Sequence, residues 1–167
     1  IRTVPNWPKE GVMFRDITTL LQDPDSLRAT CDQLYERYKD YEIDKIVGIE
    51  SRGFIFGSML AYRLGVGLVV VRKPGKLPYK TISQEYELEY GTDKVEIHED
   101  AIGPKDRVLV VDDLIATGGT VEAAAKLVEK LGGEVVEMAF VIGLPDILDK
   151  SKVKDYKVFT LVDFEGE

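Results

Sequence analysis

The sequence predicts an α/β fold: a parallel β-sheet covered by helices on both faces. Short, nearly continuous apolar runs recur along it: KIVGI at 45–49, GLVVV at 67–71, RVLVVDD at 107–113, EVVEMAFVIGL at 134–144 and YKVFTLVDF at 156–164. Segments with helical spacing stand between several of them, and glycine, proline and aspartate punctuate the joins. Strands apolar on both sides belong to buried parallel sheets, whereas one-sided sheets alternate. A chain of 167 residues with 44% hydrophobic composition suffices for one core, so residues 1–167 are expected to form a single domain.

In order, DPDSLRATCDQLYERYKDY reads as a helix, with Asp23 as its cap and Pro24 in its first turn. Cys31 shares its apolar face with Leu27, Leu34, Tyr35 and Tyr38 and is expected to be a core thiol. As the single cysteine it forms no intrachain disulfide, and a reducing cytoplasm is the expected compartment. KIVGI is a buried strand, GFIFGSMLAYRLG an apolar helix ending near Gly65, and GLVVV another buried strand. RKPGKLPYKTISQ is expected to be a loop. EYELEYGTDKVEIHE alternates on both sides of Gly91-Thr92-Asp93 and predicts a hairpin, with the lone histidine, His98, as an exposed strand residue. RVLVVDD is a strand, and TVEAAAKLVEKLGG a helix with Thr120 near its cap and Gly132-Gly133 past its end. The last two runs are strands.

The formal net charge of −8 disfavours non-specific nucleic-acid binding but leaves room for a small anion held by a local basic cluster. No apolar run approaches the ~20 residues of a membrane span, and no basic-then-apolar leader is expected at the start. A Ser-His-Asp triad or a multi-histidine metal site would have only His98 to use.

Ligands of parallel sheets bind beyond the carboxyl ends of the strands, so chemistry is expected just after Ile49, Val71, Val111 and Leu144. After Val111 come two acids, Asp112 and Asp113, and then the small-residue loop Ala116-Thr117-Gly118-Gly119-Thr120. The loop lacks the ending of a P-loop, and its adjacent glycines do not match a dinucleotide fingerprint. Gly118 and Gly119 uncover backbone N–H groups, Thr117 and Thr120 add hydroxyls, and the next helix adds the positive end of its dipole. That suits a terminal monophosphate. Without the acids, the loop reads equally well as a plain strand-to-helix turn. A carboxylate repels phosphate, but it accepts hydrogen bonds from hydroxyls and helps hold Mg²⁺. A sugar phosphate satisfies both features: its phosphate sits in the loop and its diol on the acids.

VLVVDDLIATGGT resembles the phosphoribosyl-pyrophosphate (PRPP) motif of type I phosphoribosyltransferases. GVMFRDIT, IESRGFIFG, VRKPGKLP and LEYG, in that order between Pro5 and Leu144, resemble the adenine phosphoribosyltransferase family. The resemblance implies the type I phosphoribosyltransferase fold, a central, mostly parallel sheet flanked by helices. It implies a small N-terminal hood near residues 1–20 and a flexible hairpin and loop lid near residues 73–97. The implied reaction transfers the 5-phosphoribosyl group of PRPP to N9 of adenine, giving AMP and pyrophosphate in purine salvage. The implied cofactor is Mg²⁺, held through substrate and water without a dedicated protein site, and the implied assembly is a cytoplasmic homodimer.

On these residues, the resemblance puts the 5′-phosphate on Ala116 to Thr120 and the ribose on Asp112 and Asp113. ESRG becomes the pyrophosphate loop, with a cis peptide at Glu50-Ser51, Ser51 facing the diphosphate and Arg52 neutralising the leaving group. Arg72 and Lys76 bind diphosphate, and Lys73 binds it or reaches the partner subunit's site. Glu89 is the acid/base near the imidazole ring, and Tyr90 helps cover the site. Phe14 stacks on the purine, main-chain groups of Met13 and Arg15 read its amino edge, and Leu144 closes the other face. Relatives using 6-oxopurines resemble one another in a lysine after that last strand; Gly143-Leu144-Pro145-Asp146 stand here instead, which favours adenine. Each feature has a plainer reading: Phe14 as core, the cation run as a solvated face, Arg52 as a solvated turn residue. A transferase for another purine and a non-catalytic PRPP-sensing regulator are the alternatives. The regulator would call for a basic face or a DNA-binding extension.

Overall fold

The computed structural model describes residues 1–166. The chain opens with an antiparallel ribbon of β1 (Arg2–Pro5) and β2 (Met13–Asp16), followed by α1 (Thr18–Gln22) and α2 (Pro24–Tyr38). Next come β3 (Lys45–Ile49), α3 (Gly53–Leu64) and β4 (Gly67–Val71). A hairpin of β5 (Thr81–Glu87) and β6 (Thr92–His98) precedes β7 (Arg107–Ile115), α4 (Gly119–Lys130) and β8 (Glu134–Gly143). Short α5 (Lys150–Val153) leads to β9 (Val158–Asp163).

β3, β4, β7, β8 and β9 form a wholly parallel sheet in the order β4-β3-β7-β8-β9. The chain steps from β3 outward to β4, then from β7 the other way to β8 and β9. Right-handed crossovers in opposite directions place their helices on opposite faces. Ile46, Leu109, Val111 and Ala139 accordingly share a core with Leu34 of α2 and Phe56 of α3. Val47, Val108, Val110 and Met138 point the other way, to Ala124 and Leu127 of α4. The hairpin joins this second layer through Tyr86, Val95 and Ile97. The order reverses between β3 and β7, whose outgoing loops part there and open a crevice.

Local chemistry explains the helix ends. The Asp23 carboxylate accepts from Ser26 N and Pro24 takes the first turn of α2, as expected. Gly65 closes α3 in the left-handed region, at φ 71°. Other details differ from the sequence reading. β4 is an edge strand, exposed at Gly67 and Leu68, half-buried at Val69 and Val70 and buried only at Val71, because an apolar run carries no mark of having only one neighbour. The loop after it ends at Lys80, and Thr81–Gln84 already belong to β5. The hairpin turns at residues 88–91, where Leu88 N donates to Gly91 O, slightly before the expected position. β7 runs on through both acids to Ile115. Thr120 stands near the cap of α4 as expected, and the cap itself is Gly118, at φ 91°, without a side-chain bond, so the first-turn N–H groups have no side-chain cap. Cys31 is half-buried against Met59, and burial pushes its thiol pKa up. His98 is half-buried and accepts from Tyr79 N.

Gly53 decides how closely the two crevice loops meet. A Cβ there would lie 2.8 Å from Val111 O and 2.9 Å from Asp112 Oδ1, against backbone and a strand-bound side chain that cannot swing away. Gly53→Ala is therefore expected to destabilise the fold by about 1–3 kcal/mol, the usual cost of overpacking. Gly67→Ala is the control, since nothing lies within 4 Å of its added Cβ. Urea unfolding of both variants checks the difference.

Candidate active site

Loops from three neighbouring strands converge beyond the carboxyl edge of the sheet. The first is the small-residue loop at residues 116–120 after β7. It lines a cavity of about 190 Å³ together with Asp112, Leu114 and Phe140. Ala116, Thr117, Gly118, Gly119 and Thr120 all face this cavity. Gly119 permits a second close approach, since a Cβ there would lie 3.2 Å from the ring of Tyr86 on the hairpin.

The two acids take different roles because successive strand residues point to opposite sides. Asp113 is buried and accepts from Arg52 Nε at 2.5 Å. Burial works against the Arg52 charge, but the hydrogen bond and charge of Asp113 outweigh it and raise the guanidinium pKa. Asp112 lines the cavity, and its Oδ1 accepts from Asp113 N at 2.8 Å. Burial and then the adjacent Asp113 charge push its carboxyl well above the ordinary value. A carboxylate short of donors beside a phosphate cradle is a ready acceptor for hydroxyls.

The second loop is ESRG. Its Glu50-Ser51 peptide is cis. The third follows β4 and carries the cations. Glu50 Oε2 accepts from Lys73 N at 2.8 Å, and Oε1 lies 3.1 Å from both Arg72 Nη2 and Lys76 Nζ. Burial raises the Glu50 carboxyl pKa, but these three donors overcome it and bring the pKa down to about 2. Lys73 turns elsewhere: its Nζ donates to the Tyr86 hydroxyl at 2.6 Å and pairs with Asp93 on the hairpin.

The hood and the hairpin tip form the rest. Trp7 meets Phe14 edge to face, with ring centroids 4.4 Å apart. β2 pairs with β1 along one edge, and among the described residues no strand covers the other. The Arg15 side chain points away along the tail: it donates to Thr3 Oγ1 and Glu165 O and lies over the Phe164 ring. Glu89 and Tyr90 sit at the exposed hairpin turn, and Glu89 Oε2 comes within 3.7 Å of Lys9 Nζ on the hood. Leu144 follows β8 directly, donates from N to Ile115 O and packs partly into the core.

A sequence model of the phosphoribosyl transferase domain matches residues 16–167. The adenine phosphoribosyltransferase of Desulfosudis oleivorans is 65% identical over 167 residues, which cover 100% of this chain and 96% of that protein. The crystal structure of the Thermoanaerobacter pseudethanolicus enzyme of the same name aligns with TM-score 0.95 and 49% identity, over 98% of this chain and 95% of that one. The chain belongs to the adenine phosphoribosyltransferase family. The Saccharomyces cerevisiae member, solved with an imino-altritol bisphosphate and adenine, aligns with TM-score 0.90 and 44% identity, over 96% and 93% of the two chains. The type I phosphoribosyltransferase fold implied by the motifs is therefore the fold of this chain.

For a member of this family, the sequence-derived residues fall into three groups. Asp112, Asp113, Arg52 and the phosphate loop meet at the crevice, Arg72 and Lys76 meet on Glu50, and Phe14 meets Trp7 on the hood. Lys73 stands apart on the hairpin, and Arg52 is engaged with the acids and not with the other cations. Glu50 and Trp7 were not assigned roles from sequence. Their signals were an acid at the end of a buried strand facing a cationic loop, and the single tryptophan in the hood.

The Glu50 cluster gives a pH signature. A carboxyl lowered from 4.5 to about 2 contributes stability that is complete above 4.5 and fades as pH falls toward 2. Urea titrations should show Glu50→Gln less stable than wild type near neutral pH, with the gap closing across that acidic window. A gap that stays constant through the window would contradict the ion-pair role.

Proposed function

We propose that the crevice between β3 and β7 is the site at which this chain transfers the 5-phosphoribosyl group of PRPP to N9 of adenine, giving AMP and pyrophosphate. The observation that carries the site reading is the acid pair on the strand that leads into an uncapped phosphate loop. The loop N–H groups and threonine hydroxyls hold the 5′-phosphate, and Asp112 takes the ribose diol. Asp113 keeps Arg52 beside the reacting centre, and Arg72 and Lys76 take the diphosphate with Ser51.

As N9 attacks the anomeric carbon, the bond to pyrophosphate breaks and positive charge develops in the ring. The acid pair stabilises that charge, while the cations neutralise the leaving group and fixed geometry aligns the reactants. Among the described residues, no cluster of three or more His, Cys, Asp or Glu is placed to hold a metal. Arg52 engages Asp113, which leaves Asp112 as the oxygen donor the chain would offer to Mg²⁺, an ion that would otherwise be held by substrate oxygens and water. When bound, it neutralises charge on the diphosphate.

Glu89 is the acid/base for the purine, and its turn is near enough to the hood to close over it with Tyr90. Tyr86, Val95 and Ile97 bury the hairpin strands along their length, so lid motion belongs to residues 73–80 and the turn. A homodimer completes the reading. Ile55 and Tyr62 on α3 and Leu68 on edge strand β4 are exposed apolar residues that a second copy would cover. A reducing cytoplasm suits the single free thiol.

Base choice follows from the hood. Adenine presents a donor at position 6 and hypoxanthine an acceptor. An open strand edge at Met13 and Arg15 offers a main-chain acceptor, and two facing acceptors cost about 1–3 kcal/mol or more. Adenine should therefore be preferred roughly a hundredfold in kcat/KM. Arg15→Ala should keep that preference, because the side chain faces the tail. Phe14→Ala should weaken all purines together, since stacking reads the ring face. Rates with adenine, hypoxanthine, guanine and xanthine across the three proteins test this. Loss of the preference in Arg15→Ala would mean that a side chain does the reading.

The acids give a second test. Asp112→Asn should lower kcat/KM for PRPP by at least about tenfold, the loss of one charge-assisted hydrogen bond, and Thr120→Ala by much less. Near wild-type activity in Asp112→Asn would remove the diol role.

A further inference from the structure

We propose that Glu50 is the positioning residue of the diphosphate site: its carboxylate, set behind the cations, gathers Arg72, Lys76 and the main chain at Lys73 into one array before the ligand arrives. This rests on the reading of residues 72–76 as the diphosphate-binding segment.

A loop with clustered cations has no reason of its own to converge. The charges repel, and a long side chain loses rotamer entropy when it is fixed. Pro74, Gly75 at φ 78° and Pro78 give the segment a turning backbone but no internal anchor. Glu96 of β6 holds the main chain, exchanging two bonds with Arg72 and accepting from Gly75 N at 3.4 Å, whereas the anchor of the cationic side chains comes from the end of β3. Glu50 is held through its own N–H, which donates to Val71 O at 2.9 Å at the end of the adjacent strand. From that fixed point one carboxylate oxygen takes Lys73 N, and the other takes Arg72 and Lys76.

Exposure is graded outward from the acid. The Glu50 side chain is 13% exposed, that of Arg72 32% and that of Lys76 50%. The acid therefore stands behind and the cations in front. Guanidinium and ammonium each give one donor to Glu50 and keep others free. Arg72 Nε is buried with no hydrogen-bond partner, so Glu50 supplies the bond that orients this guanidinium near the Phe54 ring. One carboxylate against two cations leaves net positive charge, and the array still attracts an anion. An acid acting as a competitor for the cations would have the opposite consequence: its removal would free them and tighten diphosphate binding. The sign of the effect separates the two roles.

The experiment titrates wild type, Glu50→Gln and Glu50→Asp with inorganic pyrophosphate and separately with AMP by calorimetry, alongside PRPP and adenine KM values. AMP uses the phosphate loop and hood and reports on the rest of the site. Glu50→Gln should weaken pyrophosphate binding and raise the PRPP KM by about tenfold, one charge-assisted hydrogen-bond set. AMP affinity and the adenine KM should change little, and Glu50→Asp should fall between Gln and wild type. Unchanged or tighter pyrophosphate binding in Glu50→Gln overturns the proposal. Equal losses for pyrophosphate and AMP also overturn it, since general distortion does that. Should the amide variant fail to fold, Glu50→Asp carries the test with the same split between the two ligands. Wild-type protein that binds AMP but not pyrophosphate, or an Arg72→Ala variant that binds pyrophosphate normally, would instead remove the assignment of residues 72–76.

Discussion

Because Gly53 has no side chain, α3 starts directly against the Val111 carbonyl and the Asp112 carboxylate, and that contact sets the spacing at this edge of the sheet. Parallel pairing brings Gly48 beside Val111, so the loops after β3 and β7 leave from adjacent points. They then diverge, because their crossovers run to opposite faces. The glycine keeps the divergence small enough for Arg52, at the head of α3, to reach Asp113 on β7. A larger residue at 53 would push the loop after β3 away from the acids on β7, and Arg52 would lose its reach to Asp113.

The chain carries a net charge of −8 and yet binds an anionic substrate class. The cations on the loops after β3 and β4 each have an internal carboxylate: Arg52 has Asp113, Arg72 and Lys76 have Glu50, and Lys73, turned to the hairpin, has Asp93. Unpaired, these cations would repel one another across a small crevice. Paired, they are held in fixed directions while keeping donors for ligand. The acids next to the phosphate loop thus serve two ends. One, Asp113, orients a cation, and the other, Asp112, has its carboxyl pushed upward by burial and its neighbour.

What the sequence made legible follows from where local chemistry was decisive. Continuous apolar runs identified β3, β7 and β8 because these strands are buried on both faces. The same pattern mislabelled β4, since Leu68 is apolar yet exposed, and strand position within a sheet leaves no local trace. β1 and β2, four residues each, are too short to show a period. The Thr-Gly-Gly-Thr loop and its acids were legible because so few chemistries need that order of residues. The bond between Arg52 and Asp113 was not, since it joins residues 61 apart through tertiary packing alone. The convergence on Glu50 was hidden for the same reason: the acid and the cations lie on separate strands' loops, and only strand pairing brings them together.

The segment after Leu144 carries no motif, but it supports the hood. Asp146 accepts from Gly166 N, which holds the end of the chain close to the loop after β8. From there Phe164 lies under the Arg15 guanidinium, and the Glu165 carbonyl accepts from it. Arg15 also reaches Thr3 on β1, so one side chain ties both hood strands to the tail. Gly143 lets β8 and β9 end in contact, since a Cβ there would lie 2.2 Å from Asp163 Oδ1 and 2.8 Å from Thr160 Cγ2. A larger residue would force the Asp163 and Thr160 side chains to shift, and the approach carries the tail toward the hood. A thin two-stranded ribbon has little core of its own and is marginal in isolation. Its edge can present main-chain groups to a purine at fixed positions only if something outside the ribbon fixes it. The tail and the outward-turned Arg15 side chain supply that support, holding the ribbon from its tail side.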